Sequence, residues 1–355
     1  MNLAQLLKRA SLIWPDRPAI CSGEKEHASY RDFALRASSI GAALLGQCGL
    51  RPGDRVAIVM RNQPEYLEAL FGIWHAGLVA VPVNAKLHPR EFEYIIDNSG
   101  ARLCFASARL ASDLPASVEC ISAPGEGWTS LLQTEPTAMA DVAADELAWL
   151  FYTSGTTGKP KGAMLSHANL RQMVLSFFTD VERLQPGDSI LHPAPLSHGS
   201  GLYSLAAVQG GACQVVPQSG QFEPAEIFDL IETFPGAFFF AAPTMVKRLV
   251  ESPAAAGADT SNLKSIVYGG GPMYLADLKA ARALFGNKLG QIYGQGESPM
   301  TITCLSTALH EDASDERLTS VGVAHSVVEV RVVGEDGVSL LPGEVGEICV
   351  RGDVV

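Results

Sequence analysis

Apolar positions along the first hundred residues follow two alternating rhythms. Leu3, Leu6, Leu7 and Ala10 recur at i, i+3, i+4 and i+7, which predicts an amphipathic surface helix ended by Pro15. Ser29 and Asp32 stand at the spacing of a capping box, and Phe33, Ala37, Ile40 and Leu44 continue from it as a helical stripe up to Gly49. Short unbroken apolar runs follow at 56–60, 79–83 and 103–106. The helical patterns between them are opened by Pro64 and Pro89 and closed by Gly77 and Gly100. Short apolar strands alternating with amphipathic helices predict a mostly parallel, doubly covered sheet. The first strand is not followed by GxGxxG, so a dinucleotide-binding fold is not supported.

Residues 107–146 read as loop-rich, with Pro115, Pro124, Gly125, Gly127 and Pro136. Strand-like segments at 147–152 and 162–165 flank a loop, and Ser166 caps a helix running through Phe178. A second α/β rhythm has apolar segments at 190–192, 214–216, 237–241 and 265–267. After about 318 the pattern changes to strands at 328–333 and 347–350 joined by Gly- and Pro-bearing turns, an antiparallel meander. The predicted fold is α/β: two similar, mostly parallel α/β subdomains packed together, plus the start of a small antiparallel β subdomain. The predicted divisions are 1–185, 186–305 and 306–355.

Composition narrows the partners. With 47% hydrophobic and 18% charged residues, the chain is no disordered segment. A net charge of −12 opposes binding to nucleic acid or to an anionic membrane, yet permits a local cationic pocket. The seven cysteines are scattered, with no CxxC pair, and are expected as buried free thiols with no zinc site. Lys8 and Arg9 interrupt the first apolar stretch where a signal peptide needs it unbroken. No stretch reaches the roughly 18 apolar residues of a membrane span. A soluble, cytoplasmic protein is expected, without stable membrane association.

The sharpest local feature is Tyr152-Thr153-Ser154-Gly155-Thr156-Thr157-Gly158-Lys159-Pro160-Lys161-Gly162. Glycines let backbone N–H groups curl round an oxyanion. Hydroxyls add donors, or a magnesium ligand at Thr153, and the lysines supply charge to a transferred phosphate. A Walker A loop is disfavoured, because Pro160 follows Lys159 where Ser or Thr is required and the flanks read strand–loop–strand.

This segment resembles the phosphate-binding signature of the adenylate-forming superfamily: acyl-CoA synthetases, luciferases and peptide-synthetase adenylation domains. Three further segments occur in that family's order. Gly269-Gly270-Gly271-Pro272-Met273 resembles the turn that lies against adenine and borders the acyl pocket. Tyr293-Gly294-Gln295-Gly296-Glu297 resembles the family's YGxTE segment; by that resemblance Tyr293 stacks on adenine, and Glu297 holds Mg²⁺ together with Thr153. Gly296 departs from the usual Thr and removes a hydroxyl there. The third, Gly343 to Gly352, resembles a structural segment of the small β subdomain.

The resemblance implies an AMP-forming carboxylic acid:CoA ligase that uses ATP, Mg²⁺ and coenzyme A. Its chemical groups would be Thr153, Lys161, His198 and Glu297, and its nucleotide would lie on Thr153 to Lys159, Gly269 to Pro272 and Tyr293 to Gly296. His198 in Pro195-Leu196-Ser197-His198-Gly199 is the candidate beside the carboxylate. Peptide-synthetase domains carry there an Asp that pairs with an α-amino group; no Asp stands between 189 and 228, which disfavours an amino-acid substrate. Gly294 leaves open a space that acetyl- and propionyl-specific members fill with Trp, so an acid larger than propionate is expected. Its pocket would comprise His198, Gly199, Phe239, Gly271 and Gly294, with Phe238, Phe240, Ala241 and Ala242 as further candidates for its wall.

Competing readings differ in class. His198-Gly199-Ser200-Gly201 prompts a serine hydrolase, but a nucleophile elbow needs Gly two residues before the serine and His198 stands there. An adenylating enzyme with a non-CoA acceptor is a second alternative. A third is a nucleotide- or acyl-adenylate-binding fragment without turnover. In the family, a ribose-binding Asp, a hinge and a C-terminal domain with a lysine come after the segment that ends here at Gly352, and only Asp353, Val354 and Val355 follow it. The expectation is an N-terminal portion with little or no turnover of its own.

Overall fold

The computed structural model describes residues 1–153 and 159–355. Among these, the strands form three sheets. One has six strands in the order Glu119–Ala123, Ala101–Ser107, Arg55–Val59, Val79–Pro82, Leu147–Thr153, Lys161–Ser166, parallel except for the last pair. The second has nine, in the order Val323–Ala324, Thr303–Leu305, Leu289–Tyr293, Leu263–Tyr268, Ala237–Ala241, Ser189–Leu191, Cys213–Val216, Pro18–Ser22, Lys25–Ser29. It is parallel from Leu289–Tyr293 to Pro18–Ser22 and antiparallel at both ends. The third pairs Val328–Val333 with Glu347–Gly352, antiparallel as expected.

The local signals act as their chemistry dictates. Ser29 accepts from the Asp32 amide at 3.1 Å, and the Asp32 carboxylate accepts back from the Ser29 amide, starting the helix Tyr30–Gly46. Gly100 ends the helix Pro89–Ser99 with φ 65°, a conformation that side chains resist. Ser166 caps His167–Ser176 through Asn169, after which five residues, Phe177–Val181, widen into a π-turn. One apolar cluster joins Tyr30–Gly46, Pro64–His75 and His167–Ser176 to both large sheets, while Pro89–Ser99 packs into a separate cluster with the six-stranded sheet. Within the first, Trp74 packs edge-on against Phe71, and its Nε1 donates to Ala148 O at 2.8 Å, tying helix to sheet.

Three features depart from the sequence expectation. The sheets do not follow the division at 185, because Pro18–Ser22 and Lys25–Ser29 belong to the nine-stranded sheet, with Ile20 beside Gln214. A buried carboxylate fastens this hairpin to the other half: Glu68 accepts from Arg36 at 3.0 Å and pairs with His27 at 2.7 Å. The loop-rich stretch 107–146 contains two elements not read from the sequence, the edge strand Glu119–Ala123 and the helix Glu126–Leu132. The thiols are not uniformly buried: Cys21, Cys104 and Cys304 are, whereas Cys120 and Cys349 are exposed. Among the described residues no helix is long and apolar enough to cross a membrane.

Candidate active site

The carboxyl ends of strands from both large sheets meet at one cavity of 420 Å³, the place where open α/β sheets leave a crevice. The six-stranded sheet contributes Phe151, Tyr152 and Thr153 from the end of Leu147–Thr153. The nine-stranded sheet contributes Phe240 and Ala242, then Gly269 and Gly270, then Gly294 to Gly296, each at or just beyond the carboxyl end of a strand. His198 and Gly199 enter at the start of the helix Gly199–Gly210.

His198 is held on two sides. Its Nδ1 pairs with Ser197 Oγ at 2.9 Å, and its ring stands edge-on to Phe151 at 5.6 Å. Burial holds its pKa below the ordinary 6.5, so the imidazole is neutral at neutral pH. Gly199 cannot carry a side chain here, because a Cβ would lie 2.8 Å from Met300 Cε and 2.9 Å from Phe240 Cε1. Met300 has φ 63°, a conformation that costs a bulky residue of the order of 1–3 kcal/mol. The turn Ser298 to Met300 is thus held against the pocket in a strained form.

Of the sequence candidates, the structure gathers Thr153, His198, Gly199, Gly269, Gly270, Gly294, Gln295 and Gly296 around this cavity. Ser154, Gly155, Thr156, Thr157 and Gly158 lie outside the described residues. Lys161 is exposed and stands directly opposite Thr153 in the strand pair. Lys159 is exposed and its Nζ lies 5.6 Å from the Tyr94 ring, away from the cavity lining. Tyr293 is half-buried behind the lining, its hydroxyl accepting from Gln295 Nε2 at 3.2 Å. Gly271, Pro272 and Glu297 are exposed and do not line the cavity.

Two pocket assignments need correction. Phe239 is fully buried in the opposite core, against Leu191 and Tyr268, while Phe240 lines the pocket. Successive residues of a strand face opposite sides, so within 238–240 only alternate rings share a face. Gly294 does not leave an empty space: a Cβ there would lie 2.6 Å from Met300 N and 2.9 Å from Ser298 O. The 298–300 turn occupies that position with backbone. Asn84 and Met300 are lining residues that sequence reasoning missed; of the wall candidates at 238–242, Phe240 and Ala242 line the cavity. Ser200 is buried, paired with His192 Nδ1 at 2.7 Å, and does not line the cavity.

Gly296 has its own physical reason. A Cβ at this position would meet Thr153 Cγ2 at 2.9 Å and Phe151 Cδ1 at 3.2 Å. Gly296→Thr is therefore expected to push Thr153 aside and to cost about 1–3 kcal/mol, read as a fall in the urea midpoint. An unchanged midpoint would show that the strand end yields freely.

A hard cation beside phosphates takes oxygen ligands, and the candidates here are one cavity-lining hydroxyl and one carboxylate outside the lining. Thr153 offers a hydroxyl, and the exposed Glu297 carboxylate has no ion-pair partner among the described residues. No cluster of three or more His, Cys, Asp or Glu residues capable of holding a metal occurs among the described residues.

A second hollow of 580 Å³ opens beside the first and shares Asn84, Pro195, Ala242 and Met245 with it. Arg61, Lys86 and Arg248 line it without any acidic residue, and none of the three has a carboxylate within 4 Å among the described residues. The Arg248 guanidinium is steadied over the Phe222 ring at 4.7 Å.

Comparison with known proteins agrees with this architecture. The AMP-binding enzyme family matches residues 7–355. Feruloyl-CoA synthase of an Amycolatopsis species is 31% identical over 328 residues, covering 91% of this chain and 65% of that protein. Fatty acid–[acyl-carrier-protein] ligase ScoC of Streptomyces coeruleorubidus is 33% identical over 347 residues, covering 94% and 66%. The chain thus spans about two thirds of the length of these relatives. The inhibitor-bound N-terminal domain of FACL13 from Mycobacterium tuberculosis superposes with a TM-score of 0.88 at 26% identity, covering 100% of this chain and 89% of that one.

Proposed function

This chain belongs to the AMP-binding enzyme family, and on that premise we propose that it is the nucleotide- and acid-binding part of an AMP-forming acyl-CoA ligase. The observation that carries the reading is the cavity between the two sheets, with Thr153 on one side and His198 and Gly269–Gly270 on the other.

In the proposed reaction a carboxylate oxygen attacks the α-phosphorus of ATP. The bond from α-phosphorus to the bridging oxygen breaks, and pyrophosphate leaves. A thiolate then attacks the acyl carbon, and AMP departs with its oxygen. The protein's part is to align the reactants and to oppose the developing charge. Gly269 and Gly270 give a flat base close access to backbone. The neutral His198 imidazole is fixed at Nδ1 by Ser197, and its other nitrogen would meet the carboxylate without an ion pair that holds the ground state. Thr153 and Glu297 would hold magnesium, which supplies neutralisation of phosphate charge. Lys161 and the loop 154–158 would serve the phosphates. The acid carries no α-ammonium, since among the described residues the cavity lining contains no carboxylate to pair with one.

Coenzyme A is the proposed acceptor, because the hollow lined by Arg61, Lys86 and Arg248 adjoins the acyl side and suits phosphate. The likeness to ScoC supports a second reading, in which the acceptor is phosphopantetheine on a carrier protein. Calorimetry of the chain separates these possibilities. AMP and ATP–Mg are expected to bind, and CoA is expected to bind more tightly than pantetheine. Lys86→Gln with Arg248→Gln should weaken CoA about tenfold and leave AMP within twofold. No binding of AMP or ATP would overturn the nucleotide reading, and equal binding of CoA and pantetheine would overturn the acceptor assignment.

A further inference from the structure

Asn62 lies just past the strand Arg55–Val59 of the six-stranded sheet, yet all its side-chain hydrogen bonds go to the other sheet's loop. Its Nδ2 donates to His192 O at 2.8 Å and to Ala194 O at 2.7 Å, and its Oδ1 accepts from the Leu196 amide at 2.9 Å. These three bonds grip the segment that leads from the strand Ser189–Leu191 to His198. Pro193 and Pro195 have no N–H, so this segment is poor in donors that could join a ladder. Its ends are secured elsewhere: the His192 amide donates to Val215 O at 2.9 Å, and His198 O accepts from Gly201 N at 3.0 Å. Between those ends, Asn62 is the only side chain bonded to the backbone of 192–196 among the described residues.

We propose that Asn62 is a positioning residue: it sets the 192–198 segment, and through it Pro195 and His198, against the acid-binding side of the cavity. Pro195 and His198 line that cavity, and Asn62 itself lines the adjoining cationic hollow. The functional meaning rests on the ligase reading above, whereas the geometric claim does not. The amide is chemically specific for this place. An aspartate would keep the acceptor for Leu196 but turn a charged oxygen on two carbonyls, so it should disturb the segment more than alanine does. A serine hydroxyl, one bond shorter, falls short of all three partners and should disturb the segment as alanine does.

The test follows the His198 imidazole by NMR through a pH titration, with His198→Gln to assign the resonance. In the wild-type chain His198 titrates below 6.5. Release of the segment exposes the ring to water, so its pKa is expected to rise toward 6.5 in Asn62→Ser and Asn62→Ala and further in Asn62→Asp. AMP affinity, measured on the same samples, is expected to stay within about twofold, because Gly269 and Gly270 lie on the other side of the cavity. A purely structural loss would lower AMP affinity and the urea midpoint without that ordering. His198 titrating identically in wild type, Asn62→Ser and Asn62→Ala would overturn the proposal, as would an aspartate milder than alanine. Failure of the wild-type chain to bind AMP would instead strike the ligase reading and leave the Asn62 result standing.

Discussion

Acidification from pH 7.5 to 5 is expected to cost this fold about 4 kcal/mol, through histidines that are buried uncharged. His167 and His192 are both pushed down by burial to about 4 from an ordinary 6.5. Each is built in as a neutral ring: His167 Nδ1 accepts from the Leu3 amide at 3.1 Å, and His192 Nδ1 pairs with Ser200. A folded-state pKa below the unfolded one means that the unfolded chain binds more protons in between. The stability is therefore complete above about 6.5 and is lost as pH falls from 6.5 toward 4. At pH 5 each ring forfeits about 2 kcal/mol by this linkage. Burial displaces His75, His198, His310 and His325 in the same direction. Against a typical total of about 5–15 kcal/mol the loss is large. Urea melts at pH 7.5 and 5 should show a steep drop in midpoint, and the drop should shrink in His192→Asn. Equal midpoints at the two pH values would contradict the burial of neutral rings.

Alanine at Gly201 is expected to be the most damaging single-methyl change near the site. Its Cβ would fall 1.8 Å from Leu196 O and 2.8 Å from Leu196 C, so the obstacle is backbone and no rotamer relieves it. Either the helix Gly199–Gly210 retreats or the 196–198 segment moves, taking His198 with it. A loss of about 3 kcal/mol or more is expected, with His198 rising toward its ordinary pKa. Gly46→Ala is the matched control, because a Cβ there meets nothing within 4 Å and alanine favours a helix. Gly46→Ala should leave the urea midpoint level or slightly raised. If both variants melt alike, the close approach at Gly201 is not what it appears in the backbone geometry.

The sequence was most legible where burial leaves a contiguous trace. Strands such as Arg55–Val59 and Ala237–Ala241, covered on both faces, show up as uninterrupted apolar runs, and Ser29 with Asp32 marks a helix start outright. Legibility failed where one face is wet. Lys25–Ser29 carries Lys25, Glu26 and His27 on an edge strand, so its pairing left no apolar signature. It failed again where a contact comes from far along the chain. Three successive phenylalanines conceal which of them faces the pocket until the pleat is known. The approach of the 298–300 turn to Gly294, and the reach of Asn62 across 130 residues to His192 O, have no local signal at all. The motif segments at 153, 198, 269 and 294–296 converge because each follows the carboxyl end of a strand, and that regularity is what made the site readable.

The edge hairpin has a consequence for synthesis. Cys21 must lie beside Val215 in the finished sheet, but almost two hundred residues leave the ribosome between them. The six-stranded sheet needs nothing beyond Ser166 to pair its own strands, so it is able to form first. Throughout that interval Ala19, Ile20 and Cys21, all buried in the finished fold, have no parallel neighbour. Closing so long a loop is slow and entropically costly. The nascent chain therefore carries an unclaimed apolar strand at its beginning, a vulnerable point at which a holding chaperone has something to hold.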